Sequence, residues 1–131
     1  MDDIDLNILE ILRQDSRTKF VKIAEVVGLT EGAVRKRVKK MVDEGMIMKF
    51  TVETKAEVEG IVLVKTDPAL TREAAQKIKK LSDKVFEVSG DYDIAALIQA
   101  STMEELNRKV DEIRGLPEVL NTNTLIKLVS D

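Results

Sequence analysis

Positive charge is concentrated at one place in this chain: five of the six residues at positions 35–40 are basic. They are Arg35, Lys36, Arg37, Lys39 and Lys40. Guanidinium and ammonium groups at this density can bind the phosphate oxygens of nucleic acid. The whole chain of 131 residues carries a formal net charge of −3. A focused patch of this kind can contact phosphates even on an acidic protein.

Several kinds of chemistry are excluded or disfavoured by composition. The chain has no cysteine and no histidine, which excludes disulfides, thiol nucleophiles and imidazole catalysis. Asp91 and Asp93 could bind a metal or exchange protons, but no third ligand is identifiable, so a small metal-dependent enzyme is a weak alternative. We predict no enzymatic activity, no metal and no cofactor. The acidic N-terminus is no signal peptide and no apolar run would span a membrane, which predicts a cytoplasmic protein.

The basic run lies on the third of three helices that apolar residues at helical spacing predict. The first ends near Gln14, the second covers 20–27, and the third follows Thr30 and ends at Gly45. Gly28 suits a left-handed helix end, and Thr30 suits an N-cap. A short second helix, a tight turn and a basic third helix fit the trihelical DNA-binding pattern.

With Val34, Val38 and Met41 facing inward, a rotation of about 100° per residue divides the third helix into a buried and an outer face. We predict that Gly32, Ala33 and Lys36 approach base edges. The remaining cations would contact phosphates, which position the protein. The predicted DNA-binding residues are Thr30, Gly32, Ala33, Arg35, Lys36, Arg37, Lys39 and Lys40. The alternative is that these cations form only the solvated face of a surface helix.

Rough alternation over residues 46–53 predicts one or two short strands, which would add a wing to the three helices. A charged connector at 55–59 then separates two predicted domains, 1–54 and 60–131.

The second half predicts the order β-α-β-β-α-β. The predicted strands cover 61–64, 85–89, 94–98 and 119–129, and the predicted helices 74–81 and 106–113. Thr102 is a plausible cap of the second helix, and Gly90-Asp91 is a hairpin-type turn. Two helices on one antiparallel sheet give a ferredoxin-like domain, so the chain is predicted to be α+β.

Two of these strands, 61–64 and 94–98, are continuously apolar. Such strands are covered on both faces, and the two helices of the domain can cover only one. We expect a second copy of the chain to cover the other face as a homodimer. The alternative cover is the chain's own N-terminal half.

The whole chain resembles the Lrp/AsnC (feast/famine) family of prokaryotic regulators. The segments that carry the resemblance are Ile4-Asp5-Leu6-Asn7-Ile8-Leu9, Gly28-Leu29-Thr30, Glu44-Gly45-Met46-Ile47, Val88-Ser89-Gly90-Asp91-Tyr92-Asp93 and Gly115-Leu116-Pro117-Glu118-Val119. The resemblance implies a winged helix-turn-helix followed by a ferredoxin-like RAM domain. It also implies dimers through the RAM sheets, assembled into tetramers or octamers, with amino-acid effectors where dimers meet. Siroheme decarboxylase subunits share the architecture but use histidines, which this chain lacks.

Carried over by position, the implied effector site consists of Gly90, Asp91, Tyr92 and Asp93, with Thr122 and Thr124 from a neighbouring subunit. Backbone N–H groups beside Gly90 could hold an α-carboxylate, and an aspartate could pair with an α-amino group. The alternative is that Gly90-Asp91 is only a turn.

The sequence thus predicts a sequence-specific DNA-binding transcription regulator that responds to an amino acid or a related metabolite. An architectural protein that packages DNA is the alternative with the same fold. The start of the third helix, Thr30-Glu31-Gly32-Ala33, departs from the Ser-Pro-Ser-Thr type that is common in the family. The operator sequence therefore cannot be carried over from relatives.

Overall fold

The computed structural model describes residues 1–128, and the chain divides into two compact units. The first unit comprises Met1–Glu53, and the second begins at Thr54. None of the helices described is long and apolar enough to cross a membrane.

The first unit contains three helices: α1 (Asp3–Gln14), α2 (Phe20–Val27) and α3 (Glu31–Asp43). Each helix places one apolar side towards a common core, because its large apolar residues recur three or four positions apart. The buried residues are Ile8, Leu12, Ile23, Ala24, Val34, Val38 and Met41. The three predicted helices are confirmed, although α3 ends two residues before Gly45.

The predicted strands at 46–53 are wrong, because no residue of this segment is in a strand. Gly45, at φ 78°, turns the chain back after α3. The N–H of Ile47 then donates to the carbonyl oxygen of Met41 at 3.0 Å, and Ile47 packs on the helical core. The other apolar residues of the segment, among them Met48 and Val52, are exposed. Alternation forms a strand only where a neighbouring strand pairs with the backbone, and this unit supplies none in the described part of the chain.

The second unit runs β1 (Val58–Thr66), α4 (Thr71–Lys79), β2 (Lys84–Glu87), β3 (Ile94–Ala100), α5 (Met103–Arg114) and β4 (Val119–Ile126), with a short 3-10 turn at Pro68–Leu70. The sheet order is β2-β3-β1-β4, and all neighbours are antiparallel. This is the predicted ferredoxin-like arrangement. β1 begins inside the predicted connector, and Val129, predicted to end the last strand, lies outside the described residues.

The sheet of the second unit has one face covered by α4 and α5, and no other element among the described residues of this unit covers the second face, which we call the open face. On the covered face β1 and β3 bury alternate residues such as Val62, Val64 and Ile98. The open face carries Ile61, Phe86 and Leu125, which are 43%, 55% and 48% exposed. The continuous apolar strands therefore divide their side chains between a filled core and an exposed apolar surface.

Gly60 lies where β1, β4 and α5 approach one another closely. A Cβ atom at this position would come within 3.2 Å of the Leu125 carbonyl oxygen and 3.4 Å of side-chain atoms of Ile126 and Leu106. The carbonyl belongs to the paired strand β4, so it cannot move without disturbing the β1–β4 hydrogen bonds. The absence of a side chain is thus a packing requirement at Gly60.

We predict that Gly60→Ala destabilises the second unit by about 1 kcal/mol, because the added methyl group overpacks this contact. Gly32→Ala is the matched control: Gly32 lies in α3 with open space around it, and alanine favours a helix more than glycine does. Urea unfolding followed by circular dichroism measures both. If Gly60→Ala is as stable as the native protein or more stable, β4 can shift enough to accommodate the methyl group and the prediction is wrong.

Candidate nucleic-acid interface and effector site

Local hydrogen bonds close the turn between α2 and α3. They are made by Gly28 and Thr30, the two residues that the sequence predicts for the end of α2 and the start of α3. Gly28 ends α2 in the left-handed conformation at φ 74°, and its N–H donates to the Ala24 carbonyl oxygen at 2.9 Å. Ala24 is buried where the two helices approach. Thr30 caps α3, because its Oγ1 accepts a hydrogen bond from the Ala33 N–H at 3.2 Å. These contacts fix the direction in which α3 leaves the turn.

The two faces of α3 are those predicted. Val34, Val38 and Met41 are buried, whereas Gly32 and four of the five cations are exposed. Ala33 and Arg37 are half-buried. Residues 32, 36, 39 and 43 follow one another at helical spacing and share the outward side.

Arg35 is held by two neighbours on the surface of the first unit. Its Nη2 donates to Glu31 Oε1 at 2.6 Å, and its guanidinium carbon lies 5.2 Å from the centre of the Phe20 ring. The second distance is typical of a cation–π contact. Glu31 precedes Arg35 by four residues at the start of the helix, which is the favourable order for such a pair.

Arg37 makes contacts that the sequence did not predict. Its Nη1 donates to Asp2 at 2.9 and 2.7 Å and to Asp5 Oδ1 at 3.1 Å. Asp2 is the N-cap of α1, and the side chains of Asp2 and Asp5 form a reciprocal capping box. The Arg37 hydrogen bond holds the pKa of Asp2 below its ordinary value. Arg37 thus links the start of α1 to the middle of α3.

The remaining cations of α3 differ in how closely they pair with carboxylates. Lys39 Nζ lies 2.8 Å from Asp43 Oδ2, and this hydrogen bond raises the pKa of Lys39. Lys40 Nζ lies 3.9 Å from Glu44 Oε1. Among residues 1–128, Lys36 forms no ion pair. Lys36 is therefore the cation of this helix that is most readily available to a ligand.

The turn at residues 90–93 joins β2 to β3 at one end of the second unit. Gly90 has φ 119°, a conformation that favours glycine. Asp93 Oδ2 accepts a hydrogen bond from the Thr66 N–H at 2.9 Å, so this carboxylate ties the turn to β1. Asp91 is exposed and makes no side-chain hydrogen bond within the described residues, while its carbonyl oxygen accepts from Lys65 Nζ at 3.3 Å. Tyr92 is half-buried.

The two predicted threonines lie on β4, on the other side of β1 from this turn. Val64 pairs with Ile94 of β3 on one side and with Thr122 on the other. Two strand spacings, about 10 Å, therefore separate Thr122 from the start of β3 within one chain. Thr122 Oγ1 accepts a hydrogen bond from Arg114 Nε at 3.4 Å, and Thr124 Oγ1 is buried with no hydrogen-bond partner among residues 1–128. The structure does not bring the two halves of the predicted effector site into contact within one chain.

Sequence reasoning missed the carboxylates that engage the cations of α3. The i, i+4 spacing of Glu31, Asp43 and Glu44 from their partners could have revealed three of these pairs. It also missed Glu118, which is 4% exposed and accepts a hydrogen bond from Lys77 through Oε1, while its Oε2 has no partner in the part of the chain that the structure describes. No group of three or more His, Cys, Asp or Glu residues comes together to hold a metal ion in the described part of the chain.

A capped, outward-facing cationic helix after a tight turn, with a separate βαββαβ unit, defines a helix-turn-helix DNA-binding protein with an additional α/β domain. Comparison with known proteins agrees. Residues 1–42 match the AsnC-type helix-turn-helix domain, and residues 59–129 match the Lrp/AsnC ligand binding domain. The chain belongs to the Lrp/AsnC family and is a DNA-binding transcription regulator with an effector domain.

The chain aligns with its relatives, which are transcriptional regulators, over nearly the whole length of both chains. The chain is 41% identical to the HTH-type transcriptional regulator LysM of Sulfurisphaera tokodaii, covering 98% of this chain and 95% of the relative. It is 38% identical to LysM of Saccharolobus solfataricus, covering 98% and 94%. A transcriptional regulator from Neisseria meningitidis, solved as a complex with L-methionine, shares the fold with a TM-score of 0.82 at 20% identity, covering 98% and 90%.

The Arg37 contact predicts a pH-dependent contribution to stability. Because the pKa of folded Asp2 is lowered, the pair stabilises the fold above the ordinary aspartate pKa of about 3.9 and is lost as pH falls through the lowered value. Arg37→Gln should therefore lower the melting temperature at neutral pH, and the gap to the native protein should close in acid. Thermal unfolding over a pH series measures this. Lys36→Gln removes a cation of the same helix that forms no ion pair among residues 1–128, so it is the control and should show no such gap. For Arg37→Gln, a gap independent of pH would contradict the assignment.

Proposed function

We propose that the chain binds operator DNA through the outward face of α3, with Lys36 as the central contact. The observation that carries this proposal is the position of Lys36 between Gly32 and Lys39 on the outward side of α3. Lys36 is exposed and has no ion-pair partner in the described residues. The N-terminal part of such a helix enters the major groove, where a lysine can reach the acceptors of guanine. Gly32 and Ala33 let the backbone approach the bases but add few hydrogen bonds, so DNA shape contributes to selection.

The other cations then serve as phosphate contacts that orient the protein on the duplex. Arg35, Lys39 and Lys40 are exposed and exchange their carboxylate partners for phosphates. Arg37 is half-buried and bound to Asp2 and Asp5, so its contribution is to hold α3 in place. Thr30 supports the interface as the cap that begins the helix.

The open face of the second unit supports a homodimer. Ile61, Phe86 and Leu125 would lie exposed to water in a lone chain, and a second copy buries the same residues of both chains in a two-fold interface. A dimer also places two α3 helices on one DNA molecule, which matches the two half-sites of an operator. Further assembly into tetramers or octamers would bring the turns at 90–93 towards β4 of neighbouring chains.

The same assembly would create the effector site. Within one chain the turn at 90–93 and Thr122 lie on opposite sides of β1, so a site that uses both needs another subunit. The carboxylate of Asp91 makes no hydrogen bond within the described residues. It would accept hydrogen bonds from the α-amino group of an amino acid. The N–H groups beside Gly90 would bind its carboxylate. Asp93, which already accepts from Thr66, positions the turn.

This function involves no catalysis, no metal and no cofactor, and it places the protein in the cytoplasm with the DNA. The hypothesis of a sequence-specific regulator is favoured over bulk DNA packaging, because packaging proteins depend on dense positive charge. This chain has a net charge of −3.

The DNA proposal predicts that Lys36→Ala/Lys39→Ala weakens binding to the region upstream of the chain's own gene and makes the salt dependence shallower by about 1–2 units of logarithmic slope. Fluorescence anisotropy at several salt concentrations measures both. Lys79→Ala/Lys80→Ala removes the same charge from the exposed surface of α4 and its end and should leave binding unchanged. Equal affinity for unrelated DNA would favour packaging, and native affinity in the α3 variant would refute the interface.

The effector proposal predicts that one or a few L-amino acids bind the native protein, and that Asp91→Asn weakens this binding at least about tenfold. Isothermal titration calorimetry with each amino acid in turn tests it. Glu73→Gln, an exposed carboxylate on α4, is the matched control. If no amino acid releases heat, or if Asp91→Asn binds as the native protein does, the effector assignment fails while the DNA proposal stands.

A further inference from the structure

The acidic residues at the C-terminal end of α3 have no evident role in stabilising that helix. Asp43 is its last residue, and Glu44 is the C-cap. The carbonyl groups at this end give it a partial negative charge, so carboxylates here are unfavourable. Each also follows its lysine by four residues, which is the weaker order for an ion pair on a helix. Glu31 and Arg35, at the other end, have the favourable order and position.

Asp43 nevertheless makes a close contact with a cation of the outward face. Lys39 Nζ lies 2.8 Å from Asp43 Oδ2, and the two side chains are 76% and 60% exposed. Glu44 repeats the arrangement more loosely with Lys40, at 3.9 Å. Asp43 also shares the outward side of α3 with Lys36 and Lys39, so this carboxylate faces the same surroundings as the cations.

A carboxylate in this position acts on any anion that approaches Lys39. Exposed ion pairs contribute little to stability, so a phosphate can displace Asp43 from the ammonium group. A phosphate that binds Lys39 must therefore break the ion pair between Lys39 and Asp43 first. The loss of that pair offsets part of the attraction by lysine, whatever the DNA sequence.

We propose that Asp43, together with Glu44, competes with DNA phosphates for Lys39 and Lys40 and thereby limits the affinity of α3 for DNA of any sequence. This inference rests on the proposed DNA-facing role of α3. Sequence-independent binding depends almost entirely on cation–phosphate contacts. The two carboxylates would therefore reduce the number of chains held on non-operator DNA, at the expense of some affinity for the operator.

The test is anisotropy with a short random-sequence duplex at low and moderate salt. Asp43→Asn should bind this duplex about twofold to fivefold more tightly than the native protein at low salt, because an exposed ion pair contributes at most about 1 kcal/mol, and the gain should shrink as salt rises. Glu44→Gln should show a smaller gain in the same direction. Glu25→Gln is the matched control: Glu25 is exposed on α2, and its neutralisation changes the net charge equally. A gain as large in Glu25→Gln would show a general charge effect and overturn the proposal.

A double-mutant cycle separates competition from simple repulsion. If Asp43 acts by occupying Lys39, then Asp43→Asn should gain little affinity in a Lys39→Gln background. An equal gain in both backgrounds would overturn the competition. Thermal unfolding provides the structural readout: Asp43→Asn should keep or raise the melting temperature, and a clear fall would assign Asp43 to stability instead.

These outcomes are distinct from failure of the proposed function. If the native protein binds DNA and Lys36→Ala weakens that binding, but Asp43→Asn equals the native protein, only the competition by Asp43 is refuted. If the native protein binds no duplex at all, the DNA-facing role of α3 fails and this inference fails with it.

Discussion

The burial of one side of α3 is the constraint on which the first unit depends. Val34, Val38 and Met41 pack against Ile8 and Ile23 in a core of only seven buried residues. Burying each large apolar side chain contributes about 1.5–3 kcal/mol, so a core this small leaves no large contact to spare. Because these three residues must face inward, the helix has one rotational setting, and its cations must face outward. The orientation of the proposed DNA-binding surface is thus a consequence of core packing.

The electrostatics of that surface are set by neighbours as much as by the cations themselves. Arg35, Lys39 and Lys40 each have a carboxylate four residues away on the same helix, and Arg37 is bound to the start of α1. A count of basic residues therefore overstates the charge that α3 offers to DNA. In a chain of net charge −3, such pairing weakens the attraction of the paired cations for phosphates, so Lys36, unpaired among residues 1–128, attracts them most strongly. Operator recognition then depends on a few well-placed groups, Lys36 first among them, more than on bulk attraction.

In the second unit the central strand β1 has the corresponding role. It pairs with β3 on one side and β4 on the other, and the missing side chain of Gly60 leaves room for the Leu125 carbonyl group of β4. The same pairing keeps the turn at 90–93 apart from Thr122 within one chain. Under the effector proposal, this geometry links ligand binding to assembly, since an amino acid that touches both elements must join two subunits. The exposed apolar face of the sheet supplies the surface for the first step of that assembly.

The sequence by itself determined the features that depend on neighbouring residues: the three helices, the glycine and threonine at the α2–α3 turn, the βαββαβ order, the inward and outward faces of α3 and the family. Helical spacing, caps and turn residues act over a few positions, so their effects can be read along the chain. Only the tertiary structure decided that Arg37 binds Asp2, 35 residues away, that Asp93 bonds to Thr66, 27 residues away, and that 46–53 forms no strand. These outcomes depend on which distant groups packing brings together, and residue spacing alone carries no information about that.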